Sequence, residues 1–142
     1  MYRREFLTPQ RNKDLQACFY RVLSEMNPIV LDEALARTVN SPAKRFYISA
    51  DRAYGVLIRW DLHGVTRLIS DERQEMYEEL YERIKVLKPL YPNTPLMHMV
   101  EMVIEQPAPK FYLKIKSAKQ YYAITNQNAR SRYSGDHIFS AN

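Results

Sequence analysis

The sequence predicts an all-α protein with at most one very short β pair, built as two tandem trihelical repeats packed as one compact unit. Three observations lead there. Only three glycines occur in 142 residues, and sheets joined by tight turns need glycine to supply positive φ. Apolar residues recur at helical spacing between prolines. The phrase "SPAKRFYIS" (41–49) returns as "QPAPKFYLK" (106–114), and the likeness extends outward, as a duplicated unit would require. "SADRAYGVLI" (49–58) aligns with "SAKQYYAITN" (117–126), and Leu31, Leu35 and Val39 share the phase of Leu96, Val100 and Ile104. The boundaries follow as an N-terminal arm over 1–10, repeats over 11–64 and 65–129, and a basic, polar tail over 130–142.

The first predicted helix carries Leu15, Cys18, Phe19, Val22 and Leu23 on one face and ends at Asn27-Pro28, because proline disfavours helical geometry in the residue before it. The second runs from Ile29 to Asn40 and stops ahead of Ser41-Pro42. Ser49 is a candidate N-cap for the third, which holds Ala50, Ala53, Tyr54, Leu57 and Ile58 and fades at His63-Gly64. Trp60, near its end, is most simply a lid on the core.

The second repeat follows the same plan. Ser70 or Asp71 caps a helix with Tyr77, Leu80, Tyr81, Ile84 and Leu87, ended by Pro89. Thr94 caps the next, with Pro95 at its first position and Met99, Val100, Val103 and Ile104 inward. His98, between two methionines, is expected to pack with them. Ser117 caps a last helix over 118–129. The repeated phrase joins the second and third helices of each unit, with Phe46 and Phe111 as core plugs. "KFYLKIK" alternates with a period of two, so a short strand there would pair with "RFYI" of the other copy.

Charge is uneven. The net charge of +5 arises in residues 106–142, where Lys110, Lys114, Lys116, Lys119, Arg130 and Arg132 face Asp136 alone. A basic patch attracts an acidic partner, and nucleic acid is the commonest one. Three helices with a capped Ser-Ala opening the last resemble the outline of a helix-turn-helix module, whose last helix enters the major groove of DNA. That outline makes Lys119, Gln120, Gln127, Asn128 and Arg130 candidate contacts to bases and phosphates. Lys44, Arg45, Lys110, Lys114 and Lys116 become phosphate contacts, and Arg132 belongs to an arm-like tail. The expected function is non-enzymatic binding of nucleic acid, duplex DNA first. The alternative is a protein-interaction or assembly role, homodimer included, through a tyrosine-rich surface and the tail, where Ile138 and Phe139 stand out.

No zinc spacing exists among His63, His98, His137 and Cys18, and three scattered glycines build no phosphate loop. The acidic stretch 70–83 has the spacing of a solvated helix face, with Glu79 and Arg83 as an i,i+4 pair. No catalytic set stands out, and no cofactor is expected. A lone cysteine, no signal-like N-terminus and no apolar run of about 20 residues predict a cytoplasmic protein that does not enter membranes.

Overall fold

Helices account for nearly all the regular structure of the computed structural model, which describes residues 4–68 and 70–120. In chain order they are α1 (Arg4–Glu25), α2 (Leu31–Val39), α3 (Ala50–His63), α4 (Asp71–Leu90) and α5 (Leu96–Ile104). A sixth, α6, begins at residue 115 and is described to residue 120. No strand forms among the described residues; the only β contact there is an isolated antiparallel bridge between Ala43 and Ala108. None of these helices is long and apolar enough to cross a membrane.

The caps explain where α3 and α4 start. Ser49 Oγ accepts from the amide of Arg52, and Ser70 Oγ accepts from that of Arg73. Each hydroxyl satisfies a donor that the helix itself leaves unpaired. Gly64, at φ 91°, ends α3 in a conformation that side chains rarely adopt. Several boundaries differ from expectation. Residues 4–10 are not an arm: α1 runs through them, across Pro9, because the added turn brings Leu7 into the core at 4% exposure. Pro89 does not end α4, which continues to Leu90; a proline so near the end disturbs only the last turn. Pro95, not Thr94, is the N-cap of α5. In α6, the Ala118 amide donates to the Lys114 carbonyl at 3.0 Å, so Ser117 lies inside the first turn rather than at the cap. His98 is exposed, because the phase that buries Met99, Val100, Val103 and Ile104 turns it outward.

The repeated phrase does pair with its counterpart, but at Pro-Ala rather than at Phe-Tyr. Ala43 and Ala108 exchange both amide–carbonyl bonds at 2.9 Å. On either side, the Phe46 amide donates to Ile104 and the Phe111 amide to Val39, at 3.0 and 2.9 Å. The rings cross in the same sense. Phe46 stacks on Tyr112 with centroids 6.0 Å apart, and Tyr47 on Phe111 at 5.9 Å. Phe46 and Phe111 are both buried, as core plugs should be.

This crossing redirects α3. Separate packing of residues 11–64 and 65–129 would seat α3 on α1 and α2, yet α3 packs on α4 and α5, while α1 packs on α2. One continuous core spans both halves, from Leu15 and Phe19 through Leu57 and Trp60 to Val100 and Ala118. Trp60 is closed over, its Nε1 donating to Thr66 Oγ1 at 3.1 Å and its ring edge-on to Tyr77 and Tyr81.

Three contacts fix the direction of α4 along α3. Tyr77 Oη donates to the Arg52 carbonyl at 3.5 Å, Tyr81 Oη to that of Trp60 at 3.3 Å, and Lys88 pairs with Asp61. Both helices therefore advance in the same direction. The link between α3 and α4 must run back toward the start of α3, about 21 Å for 14 residues, because the caps Ser49 and Ser70 line one cavity. Gln74, buried, holds that link by accepting from the Leu68 amide at 2.7 Å and donating to the Thr66 carbonyl at 3.3 Å.

At the other side, Asp14 of α1 is buried and accepts from Tyr47 Oη at 2.5 Å and Gln10 Nε2 at 2.9 Å, with Lys44 at 3.7 Å. Burial first, and then the bond to Asp14, push the Tyr47 phenol well above its usual range. Asp14→Ala should destabilise by about 1–3 kcal/mol in thermal or urea unfolding, because the Tyr47 hydroxyl is left half-buried without its acceptor. Phe46→Ala should cost about 3–5 kcal/mol, and Ser70→Ala only about 1 kcal/mol. Equal effects at Phe46 and Ser70 would contradict the central place of the crossing.

Candidate anion-binding cleft

Two parallel helices place both N-termini, and hence both positive dipole ends, at one end of the pair. Here that end opens onto a cleft of about 420 Å³, lined by the capping residues Ser49 and Ser70. The start of α6 adds Lys114 and Ser117 to the same wall, and α1 adds Leu7, Thr8 and Arg11. Tyr47, Phe111 and Met76 supply an apolar side.

Four basic side chains line this cavity, Arg11, Arg52, Arg73 and Lys114, against one acid, Glu72. Their positions run against helix electrostatics. Arg52 and Arg73 each stand three residues after the capping serine, where a glutamate or glutamine would normally reach back to the cap. Lys114 holds the equivalent of the cap position on α6. A cation at a helix N-terminus is disfavoured by about 0.3–1 kcal/mol at exposed sites.

Of the acids in the first turns of α3 and α4, Glu72 alone lines the cleft. Asp51 and Asp71 do not line the cleft. Asp71 pairs with Arg67, whose hydrogen bond and charge hold its carboxyl below the ordinary range, with Lys114 adding to the effect. Glu72 accepts from Ser70 Oγ at 3.5 Å and lies 3.9 Å from Lys114. Among the described residues, Arg52 and Arg73 form no ion pair. Their field reaches Tyr77, whose phenol burial raises while Arg73, Arg52 and Arg59 oppose the shift.

Tyr112 lines the same cleft in a left-handed conformation, φ 57°, which is uncommon for a bulky side chain. Its phenol is pushed up to about 12, by burial and then by Glu79, with Arg83 opposing. Arg83 holds this region together. Its Nε pairs with Glu79 at 2.7 Å, its Nη1 donates to the Pro107 carbonyl at 2.9 Å, and its guanidinium lies 4.8 Å over the Phe46 ring.

The residues predicted from sequence as nucleic-acid contacts fare unequally. Arg45 is buried, 6% exposed, with its Nε donating to the Phe46 carbonyl at 3.0 Å, so it is not a surface phosphate contact. Its burial follows from the crossing, which seats the Phe46 backbone against the other half. Lys44, Lys110 and Lys119 pair with Asp14, Glu75 and Asp32. Lys114 lines the cleft, while Lys116 and Gln120 are exposed on α6. Gln127, Asn128, Arg130 and Arg132 lie outside the described residues, as does the predicted tail. Tyr47 and Tyr112 cover the crossing, with both rings stacked on phenylalanines.

Arg11, Arg52 and Arg73 are not among the candidates derived from the sequence. A signal was available: Ser-x-x-Arg at the start of both α3 and α4. Among the described residues, no group of three or more His, Cys, Asp or Glu is placed to hold a metal ion. No protein-family model matches the chain, and no curated protein or solved structure matches it either.

Proposed function

We propose that the protein is a non-enzymatic nucleic-acid-binding protein that takes phosphate at the cleft between the starts of α3, α4 and α6. The carrying observation is the convergence of Arg11, Arg52, Arg73 and Lys114 on one cavity with a single acid. Guanidinium groups suit phosphate, because their donors form a rigid fork that matches two oxygens. Helix N-termini add free amides and a positive end. Placing cations there is unfavourable in the free protein, and a bound anion removes that penalty.

This relocates the expected contact. Lys44, Lys110, Lys114 and Lys119 pair with carboxylates, whereas Arg52 and Arg73, in the first turns of α3 and α4, form no ion pair among the described residues. The assembly reading has a narrower support in the exposed run Ile29, Val30 and Leu31 beside α2. Among the described tyrosines, Tyr20 and Tyr91 are exposed, while Tyr47, Tyr54, Tyr77, Tyr81 and Tyr112 are buried or half-buried.

Fluorescence anisotropy with labelled 20-nucleotide DNA, single-stranded and duplex, tests the proposal across a salt series. Binding should weaken linearly on a log–log plot as salt rises, because counterions are released from the phosphates. Arg52→Gln/Arg73→Gln should lower the affinity and reduce the slope by about 2. Lys85→Gln, on the exposed side of α4 and paired with Glu82, should match the parent. Absence of binding at low salt, or an unchanged slope in the double variant with the fold intact, would overturn it.

A further inference from the structure

Among the described residues, Arg11, Arg52, Arg73 and Lys114 line a single cavity and so form a cluster there. A nucleic-acid backbone crossing a surface meets successive phosphates, each carrying one charge, and calls for basic groups spread along its path. Lys44, Lys110 and Lys119, which do not line the cavity, pair with Asp14, Glu75 and Asp32, as Lys114 within it pairs with Glu72. The basic groups lining the cavity converge on about 420 Å³. Concentrated positive charge matches concentrated negative charge. A phosphate monoester carries about −1.5 to −2 at neutral pH and offers three terminal oxygens, whereas a diester carries −1 and offers two.

The remaining walls fit what would be attached to such a phosphate. Tyr47, Phe111, Met76 and Leu113 also line the cavity, and its volume of about 420 Å³ lies within the range of small-ligand sites, about 300–1,000 Å³. Ser49, Ser70 and Ser117 add hydroxyls near the basic groups. We infer that the cleft receives the terminal phosphate monoester of a nucleic-acid strand, with Arg52 and Arg73 holding the phosphate and the first nucleotide seated against Phe111 and Met76. This rests on the nucleic-acid reading and adds that the protein recognises a phosphorylated end.

The test uses the full chain and one single-stranded oligonucleotide, internally labelled, with hydroxyl ends, with a 5′-phosphate or with a 3′-phosphate. Adenosine monophosphate and adenosine serve as competitors. One phosphorylated end should bind about tenfold or more tightly than the hydroxyl form, the scale of a charged hydrogen bond. Arg52→Gln/Arg73→Gln should abolish that preference, Lys85→Gln should keep it, and the monophosphate should compete where adenosine does not. Equal binding of all three oligonucleotides would overturn the end-recognition inference and leave the nucleic-acid reading standing. Binding of the monophosphate with no oligonucleotide bound would overturn the strand as occupant and assign the cleft to a free nucleotide. No binding of any probe would overturn both.

Discussion

Everything in this fold depends on the exchange of backbone bonds between Ala43 and Ala108. It forces the two connecting segments across each other, so that Phe46 meets Tyr112 and Tyr47 meets Phe111. Each alanine is nearly sealed from solvent, at 4% and 2% exposure, and a larger side chain at either would overpack a close approach of two backbones. Small residues at this point are therefore a geometric requirement. The crossing delivers α3 to α4 and α5 instead of returning it to α1 and α2.

The delivery has an electrostatic cost. Parallel helices in contact align their dipoles, an arrangement less favourable than the antiparallel one. Hydrophobic contact offsets this, chiefly around Trp60, Tyr77, Leu80 and Ile84, all nearly sealed from solvent. Full burial of a large apolar side chain contributes about 1.5–3 kcal/mol, well above a dipole term of about 0.3–1 kcal/mol. Packing thus decides the direction of α4, and the positive end of the pair is the consequence. The cleft stands where packing has overridden electrostatics, and Arg52 and Arg73 increase the positive charge there.

Much of the helical plan was legible in the chain. Ser49 and Ser70 cap the helices they precede, and Gly64 ends α3, because caps are local chemistry. The inward faces of α2, α4 and α5 follow from apolar phase, and Glu79 with Arg83 pairs as i,i+4 spacing implies. What was not legible depends on direction and partner. Apolar phase shows that α3 has a buried face but not which helices cover it. No local signal marks Thr66 and Leu68 as anchored by Gln74, so the meeting of two helix starts stayed hidden. Arg45 and Lys44 are neighbours of like charge, and only the fold buries one and exposes the other. The Ser-x-x-Arg pair was visible, but its meaning required knowing that both arginines open on one cavity.

The walls of that cavity come from α1, α3, α4 and the start of α6, drawn from positions between Leu7 and Ser117. Neither half of the chain contains the cleft. An occupant would therefore touch segments that meet only when the crossing is closed, and its affinity would add directly to the free energy holding the two halves together. Opening of either half would release it. Occupancy and cooperativity of the fold become a single quantity, so a chain with a weakened crossing would lose affinity even with every lining residue intact.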